Sequence, residues 1–524
     1  MAAANTLALR NLYADFSSAR QINRENLKTI LSANSDTIYG KRCGFADIHS
    51  PEEYRERVPQ TDYSAYEELV SVPNGVTAYP IAYMLATSGT TNKQKLFPLT
   101  YESLSRFSTS VHEMPFYLMD MQGMSMHVSV FRSPKDGKML LSSAYHTYLK
   151  EQGAFERTPY IGGTELLFSD EIEDVAYLKT WLALSCPELV HIQSVYLYDV
   201  LLFFRYLEDN WRLILSDMRS GCISGTLTPG VKEKLLEFRP SDERIDELHR
   251  TLSKGFGAPI AKRIWKDLRV VSGIGGKMFA LHEDALLGYI GDTAICHCVY
   301  GASECVMGVP VAPNQAHYAL LPRAAYYEFY SIRDDRVVGM EELEIGGQYE
   351  LVLTTFSGLY RYTLTDILTV VSFIGEAPVV EISGRFKNLL NVAGEKIDEP
   401  TMRAAISGWA AKMELVLGDC AAGVDMHGAP GRYHIFVETN SPLPDAGQMA
   451  HALDDVLCSL SPDYEDVRKL KMLAALRVHV LPTGSITGSK AATGVTTAHN
   501  KPQLFLNVDQ TDYLIKRSES HEEQ

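Results

Sequence analysis

Three short segments carry the residue types that phosphate chemistry uses. The first, Leu85-Ala-Thr-Ser-Gly-Thr-Thr-Asn-Lys-Gln-Lys95, directly follows an apolar, strand-like run. Hydroxyls and backbone N–H groups around a glycine form an anion-cradling concavity, and Lys93 or Lys95 could add charge. It is not a Walker A loop, because Gly-x-x-x-x-Gly-Lys-Ser/Thr is absent; the same composition also describes an ordinary loop. The second segment is Val299-Tyr-Gly-Ala-Ser-Glu-Cys305. A carboxylate at Glu304 beside a small turn suits a Mg²⁺ ligand near phosphates, and Tyr300 suits the face of a purine. A nucleophile elbow would need Gly-x-Ser-x-Gly, but Cys305 stands in the second glycine's place. A plain strand-to-loop turn is the alternative. In the third, Gly358-Leu-Tyr-Arg-Tyr-Thr-Leu-Thr-Asp366, the carboxylate of Asp366 could accept two hydrogen bonds from a ribose diol. It could equally cap the next turn.

The cluster Cys296-His297-Cys298 lies in Thr293-Ala-Ile-Cys-His-Cys-Val-Tyr300, which reads as a buried strand. Side chains alternate faces along a strand, so His297 is expected to point away from both cysteines. No second Cys/His pair stands nearby at zinc-finger spacing, and buried cysteines commonly serve as small hydrophobes.

These segments need a scaffold to hold them. The chain has 524 residues, 46% hydrophobic and 22% charged, the composition of an ordinary globular protein long enough for two to four domains. Its 49 Lys+Arg against 65 Asp+Glu leave a net charge of −16, which argues against a nucleic-acid partner. The longest apolar stretch, Val195 to Phe204, is interrupted by Asp199 and falls short of the ~20 residues of a spanning helix. Met1 to Leu9 is too short for a signal peptide. Eight cysteines are too sparse for a disulfide framework. The expectation is a cytoplasmic protein that does not enter a membrane.

Along residues 1–383, apolar strand-like runs alternate with amphipathic helix-like ones. Helices are expected at Arg24–Leu31, Gln193–Leu207 and Met278–Tyr289, and strands at Tyr79–Ala86, Leu268–Ser272 and Tyr349–Phe356. This alternation predicts α/β layers with a mostly parallel sheet. Near Glu381-Ile-Ser-Gly-Arg-Phe-Lys387 the pattern changes, and Gly384 would permit a hinge. Downstream, helices at Pro400–Met413 and Gln448–Leu460 and strands at Tyr433–Thr439 and Leu476–Val480 make a unit of βαβ size. The polar tail Arg517–Gln524 is expected to fray.

The order of the three segments, followed by a hinge and a small domain, resembles the acyl-adenylate-forming superfamily. More narrowly, it is similar to the Gretchen Hagen type of acyl-acid amido synthetases, the auxin-responsive family of plants and its bacterial relatives. The likeness runs through most of the chain and includes Leu207-Glu-Asp-Asn-Trp211, Asp217-Met-Arg-Ser-Gly221, Tyr318-Ala-Leu-Leu-Pro322 and Tyr349-Glu-Leu-Val-Leu-Thr-Thr-Phe356. The resemblance implies an α/β protein: a large N-terminal adenylation domain with mixed sheets and helices (1–383) and a small mobile C-terminal domain (384–524).

It also implies a single ATP site. Thr87, Ser88, Gly89, Thr90 and Thr91 would hold the phosphates. Tyr300, Gly301, Ala302, Ser303 and Glu304 would surround the adenine and Mg²⁺, with Glu304 the metal ligand. Tyr318 would contact the nucleotide and Asp366 its ribose. Ser143 and Tyr145 would line the nucleotide and amine pocket, and Gly275, Gly276 and Cys298 would meet the acyl acid. Lys501 would be the active-site lysine, with Lys516 a rival. This chain has Leu364-Thr365 where the family has Val-Gly before the aspartate. The implied reaction activates a small carboxylic acid with ATP and passes the acyl group to an amino acid or another amine, in a monomer or weak oligomer. An acyl-CoA synthetase with a thiol acceptor, or a non-catalytic binder of acids or nucleotides, are the competing readings.

Overall fold

The structure is a computed structural model that describes the chain apart from residues 1, 87–94, 120, 122, 158, 277–279, 386–388, 416, 429, 440–445, 483, 493–503, 507 and 523–524. The described residues form two compact units, the first within residues 1–87 and 96–386 and the second within 88–95 and 387–524. Gly384 lies inside the strand Ala377–Arg385, opposite Ile367.

In the first unit the largest sheet has eight strands. In spatial order they are Arg336–Val338, Ala325–Ser331, Gln348–Thr355, Tyr362–Ile374, Ala377–Arg385, His317–Leu320, Cys305–Pro310 and Tyr300–Ala302. Every neighbouring pair is antiparallel. This corrects the expected mostly parallel sheet. The physical reason lies in the links: Ile374 pairs with Ala377 and Ala302 with Cys305. A two-residue turn reverses the chain, whereas a parallel pair needs a long crossover.

Parallel pairing does occur in a second sheet of four strands, Met124–His127, Leu189–Tyr196, Val270–Ile274 and Ala294–His297. The helices Leu197–Ser220 and Ala280–Ile290 lie in its crossovers. The helix expected from Gln193 begins only at Leu197, because Leu189–Tyr196 is a strand paired on both sides. The apolar run therefore spans the end of a buried strand and the start of a buried helix, which share no single period. A small third sheet joins Leu96–Thr100, Ile81–Ala86 and Lys138–Met139.

The second helix of the chain, Ala19–Asn34, packs on the large sheet by apolar and polar contacts together. Leu27, Ile30 and Leu31 enter the core. Asn23 brackets Tyr327, its Nδ2 donating to the carbonyl at 3.0 Å and its Oδ1 accepting the N–H at 2.8 Å. Both asparagine groups are thereby satisfied in a buried setting.

The second unit has a three-stranded sheet, Leu417–Asp425, Arg432–Thr439 and Arg477–Leu481, with helices that include Glu399–Lys412 and Ala446–Leu460. The tail is helical rather than frayed: Val508–Glu522 forms a helix that buries Leu514 and Ser518. Buried side chains among polar ones supply the docking that the polar composition of the tail does not announce.

Candidate active site

The third segment leaves the strand Gln348–Thr355 through a turn. Gly358 sits there at φ +97°, where a Cβ would stand 2.7 Å from the Val76 carbonyl oxygen; only glycine fits. Arg361, at φ +47°, turns inward to a buried carboxylate. Its Nε donates to Glu328 Oε2 at 3.0 Å, and Arg55 Nε donates to Oε1 at 2.9 Å. Glu328 is fully buried and Arg361 nearly so. This ion cluster anchors the start of the strand Tyr362–Ile374.

That strand is then distorted to present Asp366. Val352 pairs with Thr363 and Glu350 with Ile367, so residues 364–366 face Leu351 alone. Thr365 takes φ +65° inside this bulge. A bulge redirects the side chains beside it, and a β-branched residue in left-handed backbone is strained. The result is a buried Asp366 carboxylate whose Oδ2 accepts from the Tyr300 hydroxyl at 3.2 Å.

Tyr300 opens the second segment. Strand Tyr300–Ala302 reverses through Ser303 and Glu304 into Cys305–Pro310, which sets Glu304 at the tip of a two-residue turn. The Tyr362 hydroxyl donates to Glu304 Oε1 at 3.2 Å. Burial, then the Glu304 charge, pushes the Tyr362 phenol far up, so it remains a protonated donor. The Tyr300 and Tyr318 ring centroids are 6.0 Å apart at 42°, and both residues are buried. Tyr300, Glu304, Tyr318 and Asp366 therefore gather at one end of the large sheet. Gly301, Ala302 and Ser303 complete the hairpin between them.

The acid-side candidates stand at the carboxyl ends of the parallel strands. Gly275 and Gly276 follow Val270–Ile274, and Cys298 follows Ala294–His297. In open α/β sheets this is the edge where ligands sit. Cys298 interacts with Cys296 and then Ser272, which together hold its thiol below the usual range. Burial, and after it the Cys298 charge, raises the phenol of Tyr160, and burial followed by Cys298, Cys296 and Glu283 raises that of Tyr318. Tyr145 is raised in the same way by burial, followed by Tyr160 and Cys298. Tyr160 also donates to Gln193 Oε1 at 2.7 Å. Ser143 lies two residues before Tyr145 on the helix Leu141–Glu151, and residues so spaced do not share a face.

His297 is directed to Glu283, with Nε2 to Oε2 at 3.0 Å. Among the described residues no group of three or more His, Cys, Asp or Glu side chains could hold a metal. Thr87, Ser88, Gly89, Thr90, Thr91, Lys93 and Lys501 lie outside the described residues. Lys95 precedes the strand Leu96–Thr100, and Lys516 is exposed on the terminal helix. The residues missed from sequence are Tyr362, which lies within the third segment, and Tyr160, Gln193 and Glu283; His297 is singled out there only in the Cys296-His297-Cys298 cluster. A lone Glu on a helix gives no local signal.

Comparison with known proteins matches three family models in chain order: GH3 family N-terminal domain over residues 8–295, central domain over 318–385 and C-terminal domain over 401–508. A jasmonoyl-L-amino acid synthetase of Oryza sativa subsp. japonica is 25% identical over 516 residues, covering 89% of this chain and 88% of the relative. An indole-3-acetic acid-amido synthetase of Arabidopsis thaliana is 27% identical over 490 residues, covering 84% and 81%. Among solved structures, an acyl acid amido synthetase in complex with 2,4-DB aligns with a TM-score of 0.67 at 23% identity, covering 98% of this chain and 96% of that one. A 2-hydroxyisobutyryl-CoA ligase aligns at 0.54 and 11% identity, covering 96% and 92%. Both structures share the fold.

Proposed function

The chain belongs to the GH3 family, and on that premise we propose that it is an ATP-dependent acyl-acid amido synthetase. A carboxylate is a poor electrophile toward an amine at neutral pH. In the proposed reaction its oxygen attacks the α-phosphorus of ATP, and the bond to pyrophosphate breaks to leave an acyl adenylate. The nitrogen of an amino acid or another amine then attacks the acyl carbon, the bond to AMP breaks, and the amine proton passes to solvent. The observation that carries this reading is the meeting of Tyr300 with Asp366 and of Glu304 with Tyr362, which joins two distant segments in one polar cluster.

Each residue is assigned a task. Asp366 accepts from the ribose hydroxyls, and the Tyr300 hydroxyl holds its carboxylate in place. Tyr318 backs Tyr300 against the base. Thr87 to Thr91 and Lys501 would counter the charge that develops on the phosphates. The donor set at Glu304 fits Mg²⁺, since one carboxylate together with substrate phosphates is that ion's usual arrangement. When bound, Mg²⁺ would draw negative charge from the phosphate oxygens and ease the departure of pyrophosphate. Gly275, Gly276 and Cys298 are assigned to the acyl acid, and Tyr145 to the nucleotide and amine pocket. The sparseness of cysteine, eight in 524 residues, supports the expected reducing, cytoplasmic setting. Among the described residues no helix is long and apolar enough to cross a membrane.

The test is direct. Purified protein is incubated with ATP, Mg²⁺, a panel of carboxylic acids and a mixture of amino acids, with coenzyme A in a parallel arm. Acid-dependent pyrophosphate release and an amide identified by mass spectrometry are expected. A thioester in the coenzyme A arm would favour the acyl-CoA synthetase reading, and no pyrophosphate with any acid would defeat the proposal.

A further inference from the structure

The last helix of the chain, Val508–Glu522, is polar in composition yet packed on the sheet of the second unit. Its apolar anchor is Leu514, which clusters with Ala421, Phe436 and Leu481. Thr511 lies against Gly423, where a Cβ would stand 2.1 Å from the Thr511 Oγ1; glycine lets the helix come this close. Ahead of the helix, Leu504–Leu506 joins the open edge of the strand Leu417–Asp425. The Ala422 N–H donates to the Leu504 carbonyl at 2.7 Å, and the Leu506 N–H donates to the Ala422 carbonyl at 2.9 Å. Lys501 stands three residues before Leu504 in the sequence.

A line of polar side chains ties the sheet to this helix, from Asp425 through His434 and His479 to Ser518. The two histidines stand on the paired strands Arg432–Thr439 and Arg477–Leu481. His434 Nε2 lies 3.3 Å from Asp425 Oδ2. His434 Nδ1 is 2.7 Å from His479 Nε2, and His479 Nδ1 is 2.8 Å from Ser518 Oγ. The ring planes differ by 11° with centroids 4.9 Å apart, so the rings meet edge to edge. Both histidines and Ser518 are buried. Burial first, then Arg477 and Arg432, outweigh Asp425 and hold His434 down to about 4. Burial, followed by His434 and Arg477, does the same for His479. Both rings are therefore neutral at neutral pH, each with one donor and one acceptor nitrogen. The Asp425 charge sets the direction of the line. His434 turns its Nε2–H toward that carboxylate, so His434 Nδ1 accepts from His479 Nε2–H and His479 Nδ1 accepts from the Ser518 hydroxyl. The opposite direction would set a bare His434 Nε2 against a negative charge.

The proposed reaction uses none of these four residues. We propose that His479 and Ser518 are positioning residues: they latch the terminal helix to the sheet and thereby hold the downstream end of the segment that carries Lys501. This rests on the amido-synthetase reading and on the task given there to Lys501. A buried hydrogen-bond line fails as a unit, because removing one member leaves the next without a partner. The helix then loses its polar fastening, and Leu504–Leu506, joined to its N-terminal side, is less firmly held. A group acting on charge that develops in the transition state is sensitive to a displacement of about 1 Å.

The experiment uses the full chain and two readouts, amide hydrogen exchange and the kinetics of acid-dependent pyrophosphate release. Ser518→Ala removes the end of the line without adding bulk, and His479→Phe keeps a ring but removes both nitrogens. Each should speed exchange in the helix Val508–Glu522 by about fivefold or more, with the strand Leu189–Tyr196 of the first unit unchanged. Each should lower kcat by about three- to tenfold at unchanged KM for ATP and for the acid. With Lys501 already replaced by alanine, Ser518→Ala should lower kcat by no more than about twofold further, because the lysine it positions is gone. Unchanged exchange overturns the proposal, as does faster exchange with wild-type kcat. So does a full further loss of kcat in the Lys501→Ala background, which would mark a general loss of structure. If the wild type releases no pyrophosphate with any acid, the amido-synthetase reading falls and the positioning role falls with it, whereas unchanged exchange defeats the latch alone.

Discussion

The Tyr300 hydroxyl donates to Asp366 Oδ2 at 3.2 Å across 66 residues of sequence. One partner begins a short edge strand, and the other emerges from a bulge four strands away across the same sheet. The contact makes Asp366 an oriented acceptor, which is what recognition of a ribose diol requires.

Kinetics should separate the two ends of the nucleotide. Removing the Asp366 carboxylate deletes charge-assisted hydrogen bonds of about 1.5–3 kcal/mol. Asp366→Ala is therefore expected to raise KM for ATP about 10- to 100-fold, with the smaller change in kcat. Lys501→Ala should mainly lower kcat, because a lysine acting on charge developed in the transition state leaves ground-state binding intact. Steady-state ATP titrations at saturating acid check this, and an equal effect of both variants on both parameters would mean that the roles are misassigned.

Thr365 carries the strain of the bulge at φ +65°. Left-handed backbone costs an L-residue with a Cβ roughly 1–2 kcal/mol, most of which glycine avoids. After glycine's greater unfolded-state entropy is subtracted, Thr365→Gly should stabilise the first unit by about 0.5–1 kcal/mol. Thr365→Val, equally branched, should give no gain. Chemical denaturation followed by tryptophan fluorescence reads both, and a loss of stability in Thr365→Gly would contradict the strain.

The cluster Arg55–Glu328–Arg361 sets the opposite expectation. Glu328→Ala leaves two arginines facing an empty buried site, one of them almost fully enclosed. Breaking such a buried pair costs about 3–5 kcal/mol. Glu328→Ala should therefore lower the denaturation midpoint far more than an exposed pair such as Arg24–Glu341 does when Glu341 is replaced by alanine.

Buried histidines of the first unit, on the parallel sheet and on the helix Leu141–Glu151, should contribute to acid sensitivity. Burial holds His191 down to about 3 and, as the largest cause, His146 down to about 4. His191 Nε2 is 2.6 Å from Ser272 Oγ, so the buried ring is hydrogen-bonded. Both groups have folded pKa values below the unfolded value of about 6.5. The unfolded chain thus takes up protons first as pH falls, and stability rises with pH in that range. The contribution is complete above about 6.5 and is lost progressively below it. Unfolding free energies measured between pH 7 and 5, before most carboxylates titrate, should fall, and His191→Gln should flatten the slope. A flat wild-type profile over that range would contradict the buried neutral rings.

Much of the site is legible in the sequence, because its parts are local. A two-residue turn carries Glu304, and a short motif carries Asp366 with its glycine turn. Pairing is not legible in the same way. Alternating strands and helices do not state which strands lie side by side, so the antiparallel large sheet is found only in the fold. Leu417–Asp425 escapes because two glycines and two aspartates hide a strand that is paired along its length with Arg432–Thr439. Arg361 sits inside the third motif yet belongs to a structural ion cluster, since its partner Glu328 is 33 residues away. Glu283 is invisible for the same reason: only the crossover helix brings it to His297.

The most direct test of the central claim, that the hairpin of Glu304 and the bulge of Asp366 serve one nucleotide, is calorimetric titration of ATP–Mg²⁺ into the wild type, Glu304→Gln and Asp366→Ala. One ATP per wild-type chain is expected, with affinity reduced by about tenfold or more in each variant, the loss of roughly one charge-assisted interaction apiece. Wild-type affinity in either variant, or no saturable binding of ATP by the wild type, would contradict it.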